Sequence, residues 1–131
     1  MPETREIARR NAQRTGVRFE VTDCMEDAFI DADVVIPKSW GCLDTMGTDP
    51  QASLELAKKY RHWICDAAQM KLTRPGSLYM HPLPADRGYE VADEVIDGPH
   101  SVVFDEAENR LHTAKAIMAV TMTDKPIRYQ I

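Results

Sequence analysis

Short apolar blocks of strand length alternate along this chain with longer stretches whose apolar residues recur at helical spacing. Residues 3–15 are rich in helix formers, with Pro2 near the start and Gly16 as a stop, which predicts a helix. Val17–Val21 carries β-branched and aromatic residues and predicts a short strand. Asp23 followed by Glu26 has the spacing of a capping box and predicts a helix to about Asp31. Asp33–Pro37 holds an apolar run, Val34-Val35-Ile36, long enough for a buried strand and too short for a helix. A polar, glycine-bearing segment covers Lys38–Asp49, and Pro50 then suits the first position of a helix over 51–60. A helix over Asp66–Leu72 is closed by Thr73-Arg74-Pro75-Gly76. Ser77–Met80 predicts a buried strand, 91–97 a short helix, Ser101–Asp105 a strand, and 107–122 the longest helix.

This order predicts an α/β protein, a Rossmann-like three-layer arrangement of a parallel sheet with helices on both faces. Such a sheet normally opens on a strand. Here the first element is a helix and only four strands are convincing, so the opening strand or strands are expected to be absent from the chain. Residues 1–123 form one domain, with 124–131 a C-terminal tail that is either loose or an edge contact. In parallel sheets the ligand crevice lies beyond the carboxyl ends of the strands. Three polar constellations fall there: Lys38-Ser39-Trp40, His81–Arg87 and Glu106–Arg110.

Bulk properties narrow the function classes. A net charge of −5 gives no support for nucleic-acid or anionic-membrane partners, and no apolar run approaches the roughly 20 residues of a membrane span. The N-terminus is charged and has no signal-peptide core. Cys24, Cys42 and Cys65 are odd in number and lack C-x-x-C spacing, so neither a disulfide framework nor a zinc site is indicated. Reduced thiols and a cytoplasmic location are the expectation.

The most informative stretch is Leu78–Arg87, a strand running into His81-Pro82-Leu83-Pro84. Two prolines around one leucine fix two φ angles and remove two N–H donors. The neighbouring carbonyls are then held outward at a strand end, where they can accept hydrogen bonds from a substrate NH₂ group. The alternative is a proline-stiffened loop with no ligand.

Taken together, A-D-V-V-I-P-K-S-W-G (Ala32–Gly41), M-H-P-L-P (Met80–Pro84), E-V-A-D-E-V-I (Glu90–Ile96) and F-D-E-A-E-N-R-L-H-T-A-K-A-I-M (Phe104–Met118) resemble the second, amino-acid-binding domain of the aspartate/ornithine carbamoyltransferase family. The likeness runs from about residue 3 to residue 122. K-S-W-G and H-W-x-C look most like the branch with a knotted second domain that includes N-acetylornithine carbamoyltransferase. The resemblance implies transfer of a carbamoyl group from carbamoyl phosphate to the amine of an amino acid or acylated derivative, without metal, cofactor or covalent intermediate. Catalysis would rest on positioning and electrostatics.

By the same resemblance, the carbonyls around Pro82 and Leu83 accept from the carbamoyl NH₂, with Leu83–Pro84 cis. Arg110 matches the arginine on the carbamoyl oxygen, where a fixed fork of donors suits developing negative charge; otherwise it is a surface arginine paired with Glu106. His81 orients the loop or touches the carbamoyl group. Lys38 stands where ornithine enzymes carry an aspartate, and suits a carboxylate or acyl oxygen better than an ammonium; the alternative is a solvated loop lysine. Ser39, Trp40, Leu83, Asp86 and Arg87 complete the expected amino-acid contacts. Trp40 and Trp63 either line a pocket or pack in the core.

Departures bear on substrate. Pro82 gives the H-P-L-P of aspartate carbamoyltransferases rather than H-C-L-P, and Asp86 stands where acetylornithine enzymes have arginine. The family's phosphate-binding S-x-R-T segment is absent from the sequence. A partial domain, inactive alone, is therefore expected, whose parent carries a carbamoyl phosphate domain and forms a homotrimer, while this chain exposes apolar surface and pairs as a dimer. A non-catalytic amino-acid-binding module is the second hypothesis. A dinucleotide-binding domain is the third, and the missing G-x-G-x-x-G argues against it.

Overall fold

The computed structural model describes residues 2–38 and 47–122. Helix α1 covers Pro2–Thr15. Gly16 takes φ +73° just past its end, and the Val17 N–H donates to the Ala12 carbonyl at 3.1 Å. This left-handed helix stop favours glycine because a Cβ crowds the backbone there. Helix α2 covers Met25–Phe29, strand β1 Val34–Val35, and helix α3 Pro50–Lys59. Asp49 caps α3 by accepting from the Ala52 N–H, ahead of Pro50. Helix α4 covers Ala67–Met70 and is capped in the same way by Asp66, which accepts from the Gln69 N–H. Strand β2 is Leu78–Tyr79, helix α5 Asp93–Ile96, and helix α6 Val103–Thr121.

β1 and β2 are parallel, with Val34 opposite Leu78 and Val35 opposite Tyr79. A third line of chain continues the ladder for one pair, Tyr79 with Ser101. There the Tyr79 N–H donates to the His100 carbonyl at 2.7 Å, and the Val102 N–H donates to the Tyr79 carbonyl at 3.0 Å. The core gathers around this strip: Phe29 from α2, Val35, Met70 from α4, Tyr79, Val95 and Ile96 from α5, and Val103 opening α6. Helix α4 packs against both α2 and α5. This is an α/β fold built on a small parallel sheet.

Three local expectations are corrected. Val17–Val21 forms no ladder; its apolar side chains are exposed, with Val17 62% accessible and no strand beside it among the described residues. Asp23 does not cap α2. The Thr22 hydroxyl accepts from the Cys24 N–H instead, and Cys24 becomes the cap position without a side-chain bond. The predicted strand over Ser101–Asp105 gives way to helix after one bridge, because Val103 is buried as the first residue of α6. The sheet therefore has two strands, not four, among the described residues.

Helices α1 and α6 each bury a single residue, Ala12 and Val103. Ile7, Leu111, Ile117, Met118 and Val120 stand at least half exposed. The expected apolar surface is present, on these two helices. Among the described residues, no helix is long and apolar enough to cross a membrane.

Cys65 is fully buried, and burial, with a smaller contribution from Asp66, pushes its thiol up to about 12. Cys24 is exposed. Alkylation of the folded chain at pH 8 with a mass readout should modify Cys24 and spare Cys65 until denaturant is added; equal labelling of both would contradict this packing.

Candidate active site

The loop after β2 is fixed by two backbone hydrogen bonds that converge on one buried pair. His81 and Glu90 have side chains only 2% exposed, with Nε2 2.7 Å from Oε1. The other ring nitrogen, Nδ1, accepts from the Leu83 N–H at 2.9 Å. An accepting Nδ1 carries no proton, so the neutral imidazole has its proton on Nε2, close to the carboxylate but not aligned on it. Glu90 Oε1 also accepts from the Asp86 N–H at 3.0 Å. Both ends of the H-P-L-P turn are thus tied to the same two side chains. Leu83 is held at φ +46°, rare for a residue with a branched side chain, and the Leu83–Pro84 peptide is cis.

Prolines at 82 and 84 leave the turn poor in donors. Among the described residues, the carbonyls of His81, Pro82 and Leu83 accept no hydrogen bond. They border a cleft of about 200 Å³ lined by His81, Pro82, Leu83, Glu106, Ala107 and Arg110. Arg110 is exposed and has no ion pair among the described residues. Glu106, the expected partner, makes no ion pair with it; its Oε2 accepts from the His81 N–H at 2.9 Å. Free acceptors and a free guanidinium therefore share one opening, at the carboxyl end of β2.

The other anticipated residues lie elsewhere. Lys38 is exposed and borders a second, mostly apolar cavity of about 460 Å³, shared with Phe29, Val35, Trp63, Cys65 and Glu90. Glu90 is common to that cavity and to the buried pair behind the H-P-L-P turn. Trp63 is half-buried there. Asp86 is exposed just past the turn. The fork of Arg87 is already occupied: it donates to Asp93 at 2.7 Å and twice to Asp97, at 2.6 and 2.8 Å. These carboxylates push its pKa up, Asp97 most strongly. Arg87 thus ties the turn to α5. Ser39 and Trp40 lie outside the described residues.

Sequence reasoning gave Glu90 no role and Glu106 only that of a partner for Arg110. Both stand inside quoted motifs, and the signal lay in Glu90 itself, a carboxylate flanked by Tyr89 and Val91 just ahead of a core-forming helix. Among the described residues, no cluster of His, Cys, Asp and Glu is arranged to hold a metal ion.

An acceptor-rich turn and a lone arginine line one cleft at a strand end of a parallel sheet. The model of the Asp/Orn-binding domain of aspartate/ornithine carbamoyltransferases matches residues 1–121, and the chain belongs to that family. It is 44% identical over 123 residues to the ornithine carbamoyltransferase of Methanothermobacter thermautotrophicus, covering 94% of this chain and 40% of that protein. With the N-acetylornithine carbamoyltransferase of Xylella fastidiosa it shares 40% over 112 residues, covering 86% of this chain and 33% of that protein. Among solved structures, it superposes on the Pyrococcus furiosus ornithine carbamoyltransferase with a TM-score of 0.75 at 38% identity, over 89% of this chain and 36% of that one. The acetylornithine transcarbamylase complexed with acetylcitrulline gives 0.78 at 36% identity, over 92% and 35%. The chain thus spans two fifths or less of the length of these relatives and covers their amino-acid-binding domain.

Proposed function

We propose that this domain supplies the carbamoyl-orienting and amino-acid-binding face of a carbamoyltransferase. The observation that carries the proposal is the cleft in which the unengaged carbonyls of Pro82 and Leu83 meet the unpaired Arg110. A carbamoyl group presents an NH₂ donor and a carbonyl acceptor side by side. The turn's carbonyls take the first and the guanidinium takes the second. As a neutral amine attacks the carbamoyl carbon, the C–N bond forms, negative charge gathers on the carbonyl oxygen beside Arg110, and the C–O bond to phosphate breaks, the leaving phosphate keeping its electron pair and taking up the proton the amine loses. Preorganised donors aimed at developing charge are worth about 10²–10³ in rate. His81 holds the turn through the Leu83 N–H and Glu90.

Lys38 and Asp86 serve as contacts for the amino-acid substrate, with Ser39, Trp40 and the Leu83 backbone. An ammonium on Lys38 favours a carboxylate or an acyl oxygen on that substrate. Carbamoyl phosphate also needs anion contacts beyond Arg110. We propose that these come from a carbamoyl phosphate domain of a longer parent, that the parent is a trimer, and that exposed apolar residues of α1 and α6 face that domain. The purified 131-residue chain is then expected to show no carbamoyl transfer above background; robust turnover would refute this division of the site.

A second possibility is amino-acid binding without catalysis, favoured by the apolar cavity that carries Lys38 at its edge and Trp63 in its wall. Calorimetric titration with ornithine, acetylornithine and aspartate separates the two. Saturable millimolar binding lost in Lys38→Ala, with no response to carbamoyl phosphate, would favour the binding module.

A further inference from the structure

Glu106 completes the strand end that presents the cleft. In the parallel ladder, Tyr79 bonds on the side of the third line of chain, donating to the His100 carbonyl and accepting from the Val102 N–H. Met80 donates to the opposite side, to the Val35 carbonyl at 2.9 Å. Alternation brings the His81 N–H back to the third line, where the Val102 carbonyl is its regular partner. That carbonyl is taken. The chain has already turned into α6, and the Glu106 N–H donates to Val102 O at 2.9 Å. The carboxylate of the same residue supplies the substitute, accepting from the His81 N–H at 2.9 Å through Oε2. One residue removes the ladder acceptor with its backbone and replaces it with its side chain.

We infer that Glu106 is a positioning residue that sets the distance between the Pro82–Leu83 carbonyls and Arg110. Arg110 sits one turn further along α6, at i+4, and both line the same cleft. The turn is held to Glu90 at its far side and to Glu106 where it leaves β2, and only Glu106 stands on the helix that carries the arginine. Its importance for carbamoyl orientation rests on the function proposed above; the contact itself does not.

The test uses the 131-residue chain with Glu106→Gln, which keeps an acceptor oxygen, and Glu106→Met, which keeps the bulk and removes it. Amide hydrogen exchange is followed by NMR. The His81 amide is expected to exchange at least about tenfold faster in Glu106→Met, consistent with a charge-assisted bond. It should stay near the unsubstituted value in Glu106→Gln, with Tyr79 and Met80 unchanged in both. Carbamoyl phosphate, added separately, should shift the Leu83 amide in the unsubstituted chain and in Glu106→Gln, but not in Glu106→Met. Unchanged His81 exchange in Glu106→Met would overturn the inference, as would a Glu106→Gln chain as labile as Glu106→Met. The predicted exchange pattern without any carbamoyl phosphate response in the unsubstituted chain would support the positioning contact and refute the proposed function.

Discussion

His81→Ala is expected to lower the stability of the chain by about 3 kcal/mol, the scale on which a buried carboxylate left without its polar partner destabilises a protein. Both side chains of the pair are 2% exposed, so the Glu90 carboxylate would be left in the interior with the Asp86 N–H as its remaining donor. The Leu83 N–H would lose its acceptor as well. Leu83 holds a positive φ that persists only where its surroundings over-determine it. Urea unfolding followed by fluorescence reads the effect as a lower midpoint at an unchanged slope. A loss under about 1 kcal/mol would mean that the pair is not buried as described. The Lys58–Glu55 pair on α3, more than half exposed at both ends, is the internal control; Glu55→Ala should change stability by about 0.5 kcal/mol or less.

Arg110→Met should behave in the opposite way, leaving stability alone and removing ligand response. Arg110 is exposed and unpaired among the described residues, so its loss breaks no fold contact there. Its guanidinium is the cation in the small cleft beside the Pro82 and Leu83 carbonyls. Affinity for carbamoyl phosphate is expected to fall at least tenfold, since one charge-assisted hydrogen bond contributes about 1.5–3 kcal/mol. In a full-length carbamoyltransferase carrying this domain, the same substitution should cost about 10²–10³ in turnover. Arg110→Lys should recover only part of either loss, because an ammonium lacks the planar fork. Undiminished affinity in Arg110→Met would remove the arginine from the site.

Much of this was legible because it is local chemistry. Gly16, Asp49 with Pro50, and Asp66 mark helix ends whose bonds lie within five residues, and the structure has those bonds. The strands were harder, since a strand is defined by its neighbours. Val17–Val21 has strand composition but no partner beside it, and Ser101–Asp105 loses its pattern to a helix whose first residue is anchored in the core. In the site, the stiff turn could be anticipated from residue type, and the arginine from the family resemblance alone. The roles of Glu90 and Glu106 could not, because each acts across the fold, on His81 nine and twenty-five positions away. Arg87 has the residue type of a ligand contact, yet two aspartates, at the start of the following helix and just past its end, engage it.

The identity of the cleft is tested most directly by titrating the isotope-labelled chain with carbamoyl phosphate and, in parallel, with inorganic phosphate, recording backbone amide and arginine side-chain NMR shifts. Carbamoyl phosphate is predicted to produce saturable shifts concentrated at His81, Leu83 and Arg110, while phosphate at the same concentration leaves the H-P-L-P turn unmoved. No response at these residues, or the same response to phosphate alone, would contradict a carbamoyl-orienting role for this site.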